Sequence, residues 1–358
     1  MTTRSLLVIN YRSASLAIDA IRTARAASAQ PLQAIVVDNS VDASEVETLR
    51  LAADVVIAAP RNLGYAGGIN AGRRACDGDV IIVSNPDVRF GAGAVDRLVE
   101  VDAAVTGPAL FWDDGHEWIL PPAELHTPSE VLDCAIASRS RAWARARDRR
   151  RFLARVAFWS LSRPARVSAL SGAVLAIRTE AFDAAAGFDE RFMLYFEEND
   201  FLRRVRGDIV YVPAARCRHL YNQSAGGSPE AAALYTLSEG QYLQKWGGVF
   251  AKRFERRRSD SVGPSCAGPN SRSLPPRGFG PAQLGPTESD LRLASGIVIE
   301  ASPLASFETA AGHFANETPA DVPDDIWRAY RGDILYFRAV ERRSGRILES
   351  WAKARIRA

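Results

Sequence analysis

Val80-Ile81-Ile82-Val83-Ser84 runs straight into Asn85-Pro86-Asp87, and the reading of this stretch decides the fold. A continuous β-branched run is the pattern of a strand buried on both faces. Pro86 forbids its continuation as a central strand. The chain therefore delivers one acid, Asp87, to the carboxyl end of a core strand, where open α/β sheets bind their ligands. Alone, the same pattern fits an ordinary turn, so the surrounding sequence carries the decision.

Three apolar runs precede it, Ser5–Ile9, Ala34–Val37 and Asp54–Ile57, separated by helical patterns at roughly Ser15–Ala27, Ala43–Ala52 and Gly68–Cys76. A helix over Gly93–Val101 and another run, Ala103–Gly107, follow. Strands alternating with helices predict an α/β fold with a mostly parallel, doubly wound central sheet of Rossmann type. Neither GxGxxG after the first strand nor GxxxxGK[ST] is present, which excludes a dinucleotide or P-loop triphosphate site.

Residues 108–166 break the rhythm and read as a basic helical insertion. Ten arginines fall between Arg139 and Arg166 against the single acid Asp148, with Phe152, Val156 and Trp159 at helical spacing. Two readings stand open: a basic amphipathic helix on anionic headgroups, or a charged helix packing one apolar stripe on its own domain. No nucleic-acid motif accompanies the charge. Ordered patterns resume at Ala169–Ile177 and run through Ile209–Pro213 to a helix near Pro229–Trp246. The Ser, Pro, Gly and Arg of residues 251–289 read as a flexible linker. Residues 290–358 read as a small all-β module with runs at Gly296–Glu300, Asp333–Val340 and Arg346–Trp351.

With 358 residues, 47% hydrophobic, 24% charged and a formal charge of +3, the chain has ordinary globular composition. It shows no membrane-length apolar run and no signal-peptide pattern, so a cytoplasmic protein is expected. Cys76, Cys134, Cys217 and Cys266 have neither CxxC nor disulfide-framework spacing and read as free thiols.

Four patches could carry chemistry. Val36-Val37-Asp38-Asn39-Ser40 ends a strand on an acid suited to a base N–H, or to an Asx turn capping the next helix. Asn62-Leu63-Gly64-Tyr65-Ala66-Gly67-Gly68-Ile69-Asn70-Ala71-Gly72 has small residues that let backbone N–H groups approach a ligand before a helix N-terminus. Asp87 suits Mg²⁺ or Mn²⁺ beside phosphates, and His219, following an apolar run, could complete that site. Phe188-Asp189-Glu190-Arg191-Phe192, Tyr195-Phe196-Glu197-Glu198-Asn199-Asp200 and Arg203-Arg204 set paired carboxylates among apolar neighbours, the setting that makes a general base. The same acids suit a helix first turn, with Arg204 pairing back at i,i+4.

Taken in order, these patches resemble the inverting family 2 glycosyltransferases of GT-A fold, and within them the rhamnosyltransferase-like branch. Asp38-Asn39-Ser40, Asn62-x-Gly64-Tyr65-Ala66-x-Gly68-x-Asn70-x-Gly72, Asn85-Pro86-Asp87, Gly187-Phe188-Asp189-Glu190-x-Phe192, Phe196-Glu197-Glu198-x-Asp200-x-x-x-Arg204 and His219 carry the resemblance, over roughly residues 4–247. It implies a GT-A domain over 1–250, with the accessory module beyond. Nucleotide-sugar contacts fall on Asn10, Asp38, Asn62, Gly64, Tyr65, Gly68, Asn70, Asn85, Asp87 and Gly172, with Asp38 reading the base. Asp87 and His219 would ligate Mg²⁺ or Mn²⁺. Glu198 stands where the family has a catalytic aspartate, so either Glu198 or Glu197 would be the base. The QxxRW of processive members is missing, which implies one sugar per acceptor.

The expected activity is metal-dependent, inverting transfer from dTDP-rhamnose or a UDP-sugar to a glycan or polyprenyl-diphosphate-linked acceptor in cell-surface polysaccharide synthesis. A peripheral contact with the inner face of the cell membrane through 139–166 and a homodimer are further expectations. A glycan-binding scaffold on a decayed transferase fold is the alternative that Glu198 and the added module favour. A sugar nucleotidyltransferase is another, but Asn10-Tyr11-Arg12-Ser13 lacks its triphosphate loop.

Overall fold

The computed structural model describes residues 2–220, 229–247, 296–315 and 322–355. The four early runs become neighbouring parallel strands: β1 (Arg4–Asn10), β2 (Gln33–Asp38), β3 (Val55–Ala58) and β4 (Val80–Ser84), in the order β3-β2-β1-β4. Helices α1 (Ala14–Ala26), α2 (Ala43–Leu49) and α3 (Gly64–Arg73) connect them. Successive strand residues face opposite sides. Leu6, Val8 and Ile82 pack with Ala17, Ile21 and Leu49, while Leu7, Ile9 and Ile81 pack with Ala66 and Ile69. This two-sided burial explains why β4 is apolar throughout.

Past β4 the sheet becomes mixed. β8 (Val174–Arg178) runs antiparallel to β4 and is followed by β6 (Val105–Phe111), β9 (Ile209–His219) and β5 (Val88–Phe90), while β7 (Ala165–Arg166) pairs with β9. Helix α4 (Ala94–Glu100) joins the α1 face, and α7 (Thr179–Ala184) and α8 (Glu197–Arg204) join the α3 face. The expected α/β architecture is what the chain adopts: a large central sheet, parallel over β3-β2-β1-β4 and mixed beyond, flanked by helices on both faces.

The insertion forms α5 (Pro128–Ala137) and the basic helix α6 (Arg141–Trp159); α9 (Pro229–Trp246) comes later, and the expected linker lies outside the described residues. The C-terminal sheet has the antiparallel order β11-β10-β12-β13, from β10 (Ile297–Ser302), β11 (Ala311–Ala315), β12 (Ile334–Glu341) and β13 (Ile347–Ala354). A short helix, α10 (Asp324–Ala329), interrupts it, so the module is not all-β. Phe152, Val156 and Trp159 are buried, and Gly312 of β11 lies against Trp159, where a Cβ would come within 2.2 Å of the indole. Arg147, Arg150, Arg151 and Arg155 all pair with acids. The helix thus packs its apolar stripe inward and directs much of its positive charge to internal partners. No described helix is long and apolar enough to cross a membrane. Cys76 and Cys217 are buried free thiols, but Cys134 is disulfide-bonded, which corrects the expectation of thiols throughout.

Candidate active site

The carboxyl ends of β1, β2 and β4 supply the first part of the site. Asp38, the last residue of β2, is buried, and its Oδ1 accepts from Asn10 Nδ2 at 2.8 Å and Ser40 Oγ at 2.7 Å. Ser40 N donates to the same oxygen at 3.3 Å, which makes an Asx turn. The cap of α2, however, is Asp42, whose side chain accepts from Ser44 N. Asp38 Oδ2 is buried with no hydrogen-bond partner, an acceptor positioned for a ligand N–H because an unmade bond there is costly. Asn10 is committed inside the protein: Nδ2 also donates to Glu45 Oε2 at 2.8 Å, and Oδ1 accepts from Ser13 Oγ at 2.9 Å. Its part is to orient Asp38.

The glycine-rich stretch differs from the expected phosphate-cradling loop. The helix begins at Gly64, so Gly68 and Gly72 lie inside α3 and face the sheet. A Cβ at Gly68 would meet Ile9 at 2.9 Å and one at Gly72 would meet Leu7 at 2.2 Å. These glycines permit close packing of helix on sheet. Asn70 binds the chain rather than a donor: it donates to Phe188 O at 2.8 Å and Glu190 Oε1 at 3.0 Å and accepts from Phe188 N at 2.9 Å. Asn62 Oδ1 accepts from Gly64 N at 2.9 Å and so shapes the turn. Gly64 has φ +74°, and a Cβ there would lie 2.5 Å from Met193 O. Both the conformation and the contact require glycine. Met193 itself, whose carbonyl also accepts from Tyr65 N at 2.9 Å, carries no sequence signal.

Asp87 and His219 meet as expected. β5 and the end of β9 pair antiparallel with Val88 opposite His219, and Leu220 N donates to Asp87 O at 3.0 Å. His219 Nε2 lies 3.3 Å from Asp87 Oδ1. Burial is the largest influence on the Asp87 carboxyl and pushes it upward, but the imidazole beside it and further hydrogen bonds hold it below its ordinary value. Ligand atoms on adjacent corners of an octahedron with bonds of about 2.1 Å stand about 3 Å apart, so this pair fits a divalent ion that draws its other ligands from water and phosphate. Among the described residues no third His, Cys, Asp or Glu joins them. Asn85, two residues earlier, ties β4 to the neighbouring segment, its N–H donating to Ala173 O at 2.9 Å.

The carboxylate pair sits at the start of α8, after Tyr195 and Phe196 with φ of 70° and 68°. Two bulky residues in the left-handed region are unusual, and such strain concentrates at functional sites. Phe196 is held by aromatic contacts with His126, Tyr235 and Tyr242. Glu197 is buried, its Oε2 lacks a partner, and burial followed by the Glu198 charge pushes its carboxyl well above the ordinary range. Glu198 is partly exposed; burial raises it too, although a hydrogen bond from Asn199 Nδ2 at 3.1 Å opposes the rise. Farther along, Arg204 Nε pairs with Asp200 at 2.9 Å, the expected i,i+4 contact.

Tyr65 joins the two halves. Its hydroxyl donates to Gly172 O at 3.0 Å, and Gly172 is the residue against which Glu198 lies, with Cβ and Cγ each 3.3 Å from where a glycine side chain would begin. Burial, then the charges of Glu197, Glu198 and Asp87, push the Tyr65 phenol well above its ordinary value. One phenol thus feels Asp87 and the carboxylate pair of α8 together.

Residues 5–121 match the model of Glycosyl transferase family 2. This region resembles a family 2 glycosyl transferase domain. The transferase is 29% identical over 231 residues to the N-acetylglucosaminyl-diphospho-decaprenol L-rhamnosyltransferase of Mycobacterium tuberculosis, covering 57% of the chain and 71% of that protein, in both strain CDC 1551 / Oshkosh and strain ATCC 25618 / H37Rv. Similar solved structures include GalNAc-T7 with UDP, GalNAc and Mn²⁺, at 15% identity and TM-score 0.47 over 73% of the transferase. The mannosyltransferase PcManGT of Pyrobaculum calidifontis with GDP-Man and Mn²⁺ overlaps 71% of this chain and 64% of its own at 13% identity and TM-score 0.41. The chain spans about half, 51%, of the GalNAc-T7 structure.

Proposed function

We propose that this glycosyltransferase moves one sugar, with inversion, from dTDP-rhamnose or a UDP-sugar to a hydroxyl of a polyprenyl-diphosphate-linked glycan during cell-surface polysaccharide synthesis, at the cytoplasmic face of the membrane. The observation that carries this reading is Tyr65, half-buried against Gly172 where the charges of Asp87, Glu197 and Glu198 meet. The relative's printed name, a rhamnosyltransferase acting on a diphospho-decaprenol, supports the choice of donor and acceptor.

Asp38 Oδ2, open and buried, accepts an N–H of the donor's base. Asp87 and His219 would hold Mg²⁺ or Mn²⁺, which when bound neutralises charge on the departing nucleoside diphosphate. Glu198 is the base rather than Glu197, because it is the one with solvent access and lies against Gly172. It takes the proton of the acceptor hydroxyl as that oxygen bonds to the anomeric carbon and the bond to the diphosphate breaks on the opposite face. Its raised pKa suits proton removal near neutrality, a contribution of about 10²–10⁴-fold. Burial and the Glu198 charge push the Glu197 carboxyl well above its ordinary range, which favours placing the pair's negative charge on Glu198.

Transfer from dTDP-rhamnose and UDP-sugars to an N-acetylglucosaminyl-diphospho-lipid, measured with Mn²⁺ and with EDTA, tests the reading. Activity that persists in EDTA, or survives Glu198→Gln undiminished, overturns it.

A further inference from the structure

The C-terminal module reaches the cation half of the site through one arginine. Arg218 immediately precedes His219 in β9, and neighbouring strand residues project to opposite faces. On the face away from Asp87, Arg218 is 9% exposed and meets four acceptors. Nε donates to Trp112 O at 3.2 Å and Nη1 to Asp114 Oδ1 at 2.6 Å. Nη2 donates to Asp325 O at 3.1 Å and faces Asp325 Oδ2 at 3.2 Å. Asp325 belongs to α10 of the module and also accepts from Asp114 N at 2.7 Å. A planar guanidinium saturated in this way fixes the backbone that bears it more firmly than an ammonium could.

Through its backbone the same strand end pairs with β5, by the Val88–His219 register and the Leu220 N–H on Asp87 O, and with β6, by the Phe111–Arg218 register. The imidazole is therefore presented to Asp87 by a strand end held through its backbone by β5 and β6 and, through the Arg218 side chain, by the module. We propose that Arg218 and Asp325 are positioning residues for the cation site, so that the C-terminal module is a structural part of the metal-binding half of the active site. This rests on the assignment of Asp87 and His219 as cation ligands. By linkage, cation binding must then tighten the hold of α10 on Arg218 by the same factor.

Mn²⁺ binding to the full chain is to be measured by electron paramagnetic resonance with dTDP or UDP present, for the wild type, Asp87→Asn, Arg218→Met, Arg218→Lys and Asp325→Ala. Hydrogen exchange of residues 322–333 is followed in parallel, with and without Mn²⁺ and nucleotide. Removing partners that orient a metal ligand weakens a site by about 10- to 100-fold; acting through the backbone, Arg218→Met should raise the Mn²⁺ dissociation constant about 3- to 10-fold, with Arg218→Lys and Asp325→Ala between it and the wild type. In the wild type, Mn²⁺ and nucleotide should slow exchange at 322–333, and in Arg218→Met that slowing should disappear. If the variants unfold, the wild-type exchange response alone decides. No Mn²⁺ binding by the wild type, or binding undiminished in Asp87→Asn, overturns both the cation assignment and this inference. Binding lost in Asp87→Asn but unchanged in folded Arg218→Met, or no exchange response at 322–333 in the wild type, overturns this inference alone.

Discussion

Glu197 is a carboxyl group that the fold keeps at a cost. It is buried, one oxygen lacks a partner, and Glu198 stands beside it. Its folded pKa lies above its unfolded one, so its contribution to stability is fully present below the ordinary carboxyl range and is lost as pH rises through the folded value. Glu197→Gln removes that loss while keeping the shape. Thermal unfolding should show the variant more stable than the wild type at pH 8 by on the order of 1 kcal/mol, with the gap closing towards pH 4. Glu198→Gln should lower kcat by about 10²–10⁴-fold without lowering the unfolding temperature, and wild-type kcat/KM should climb with pH through a carboxyl pKa above the usual 4.5. Asp87, His219 and Glu198 were legible in the sequence because each is a chemically distinctive residue at the end of an apolar run or the start of a helix. Asn70 and Gly68 were not. Asn70 is occupied by Phe188, 118 residues away, and Gly68 by the Ile9 side chain; neither neighbour is visible to a local motif.

At the scale of elements, α3 shows a helix that accepts poor propensity for close approach. Glycine costs about 1 kcal/mol relative to alanine in a helix interior, so Gly→Ala should stabilise wherever space allows. In α9, Gly240 has nothing within 4 Å of a built Cβ, whereas at Gly72 the Cβ would lie 2.2 Å from Leu7 Cδ1 and 3.0 Å from Val37 Cγ2. Gly240→Ala should therefore gain about 0.5–1 kcal/mol. Gly72→Ala should lose about 1–3 kcal/mol to overpacking. Denaturant midpoints of the two variants should thus move in opposite directions, and a stabilised Gly72→Ala would contradict the packing described for α3. The same contrast explains which elements could be read. β1 to β4 and their crossovers alternate with a regular period, and each run declares a strand buried on both faces. The antiparallel insertion of β8 between β4 and β6, and the place of β5 at the far edge beyond β9, are long-range pairings with no periodic signature. β11 and α10 are short, five and six residues, and fall between turn residues where periodicity has no length in which to show itself.

Across the whole molecule, the charge-rich insertion acquires its meaning from the module docked on it. Arg155, Glu300 and Arg338 are 2%, 0% and 3% exposed. Arg155 Nη2 donates to Glu300 Oε1 at 2.6 Å, Arg338 Nε to Glu300 Oε2 at 2.5 Å, and Arg338 Nη1 and Nη2 to the Asp148 carboxylate at 2.7 and 3.0 Å. Lone Asp148, set among arginines, is thus the partner of a residue 190 positions on. Desolvation makes such a network a weak source of net stability, but breaking it leaves a buried charge uncompensated, at a cost of about 3–5 kcal/mol. Arg338→Met should therefore destabilise the chain by about that amount in urea unfolding. Replacing Arg155, Glu300 and Arg338 together by apolar residues of similar volume should restore most of it, since the one charge left without its partner, Asp148, is 35% exposed and reaches water. Because the network joins α6 to β10 and β12, and Trp159 packs on Gly312, the loss should appear in a single transition that reports on both sheets. Two separate transitions, with only the later one shifted, would mean that the module folds independently of the transferase domain and that the internal pairing of the arginines is not what holds them together.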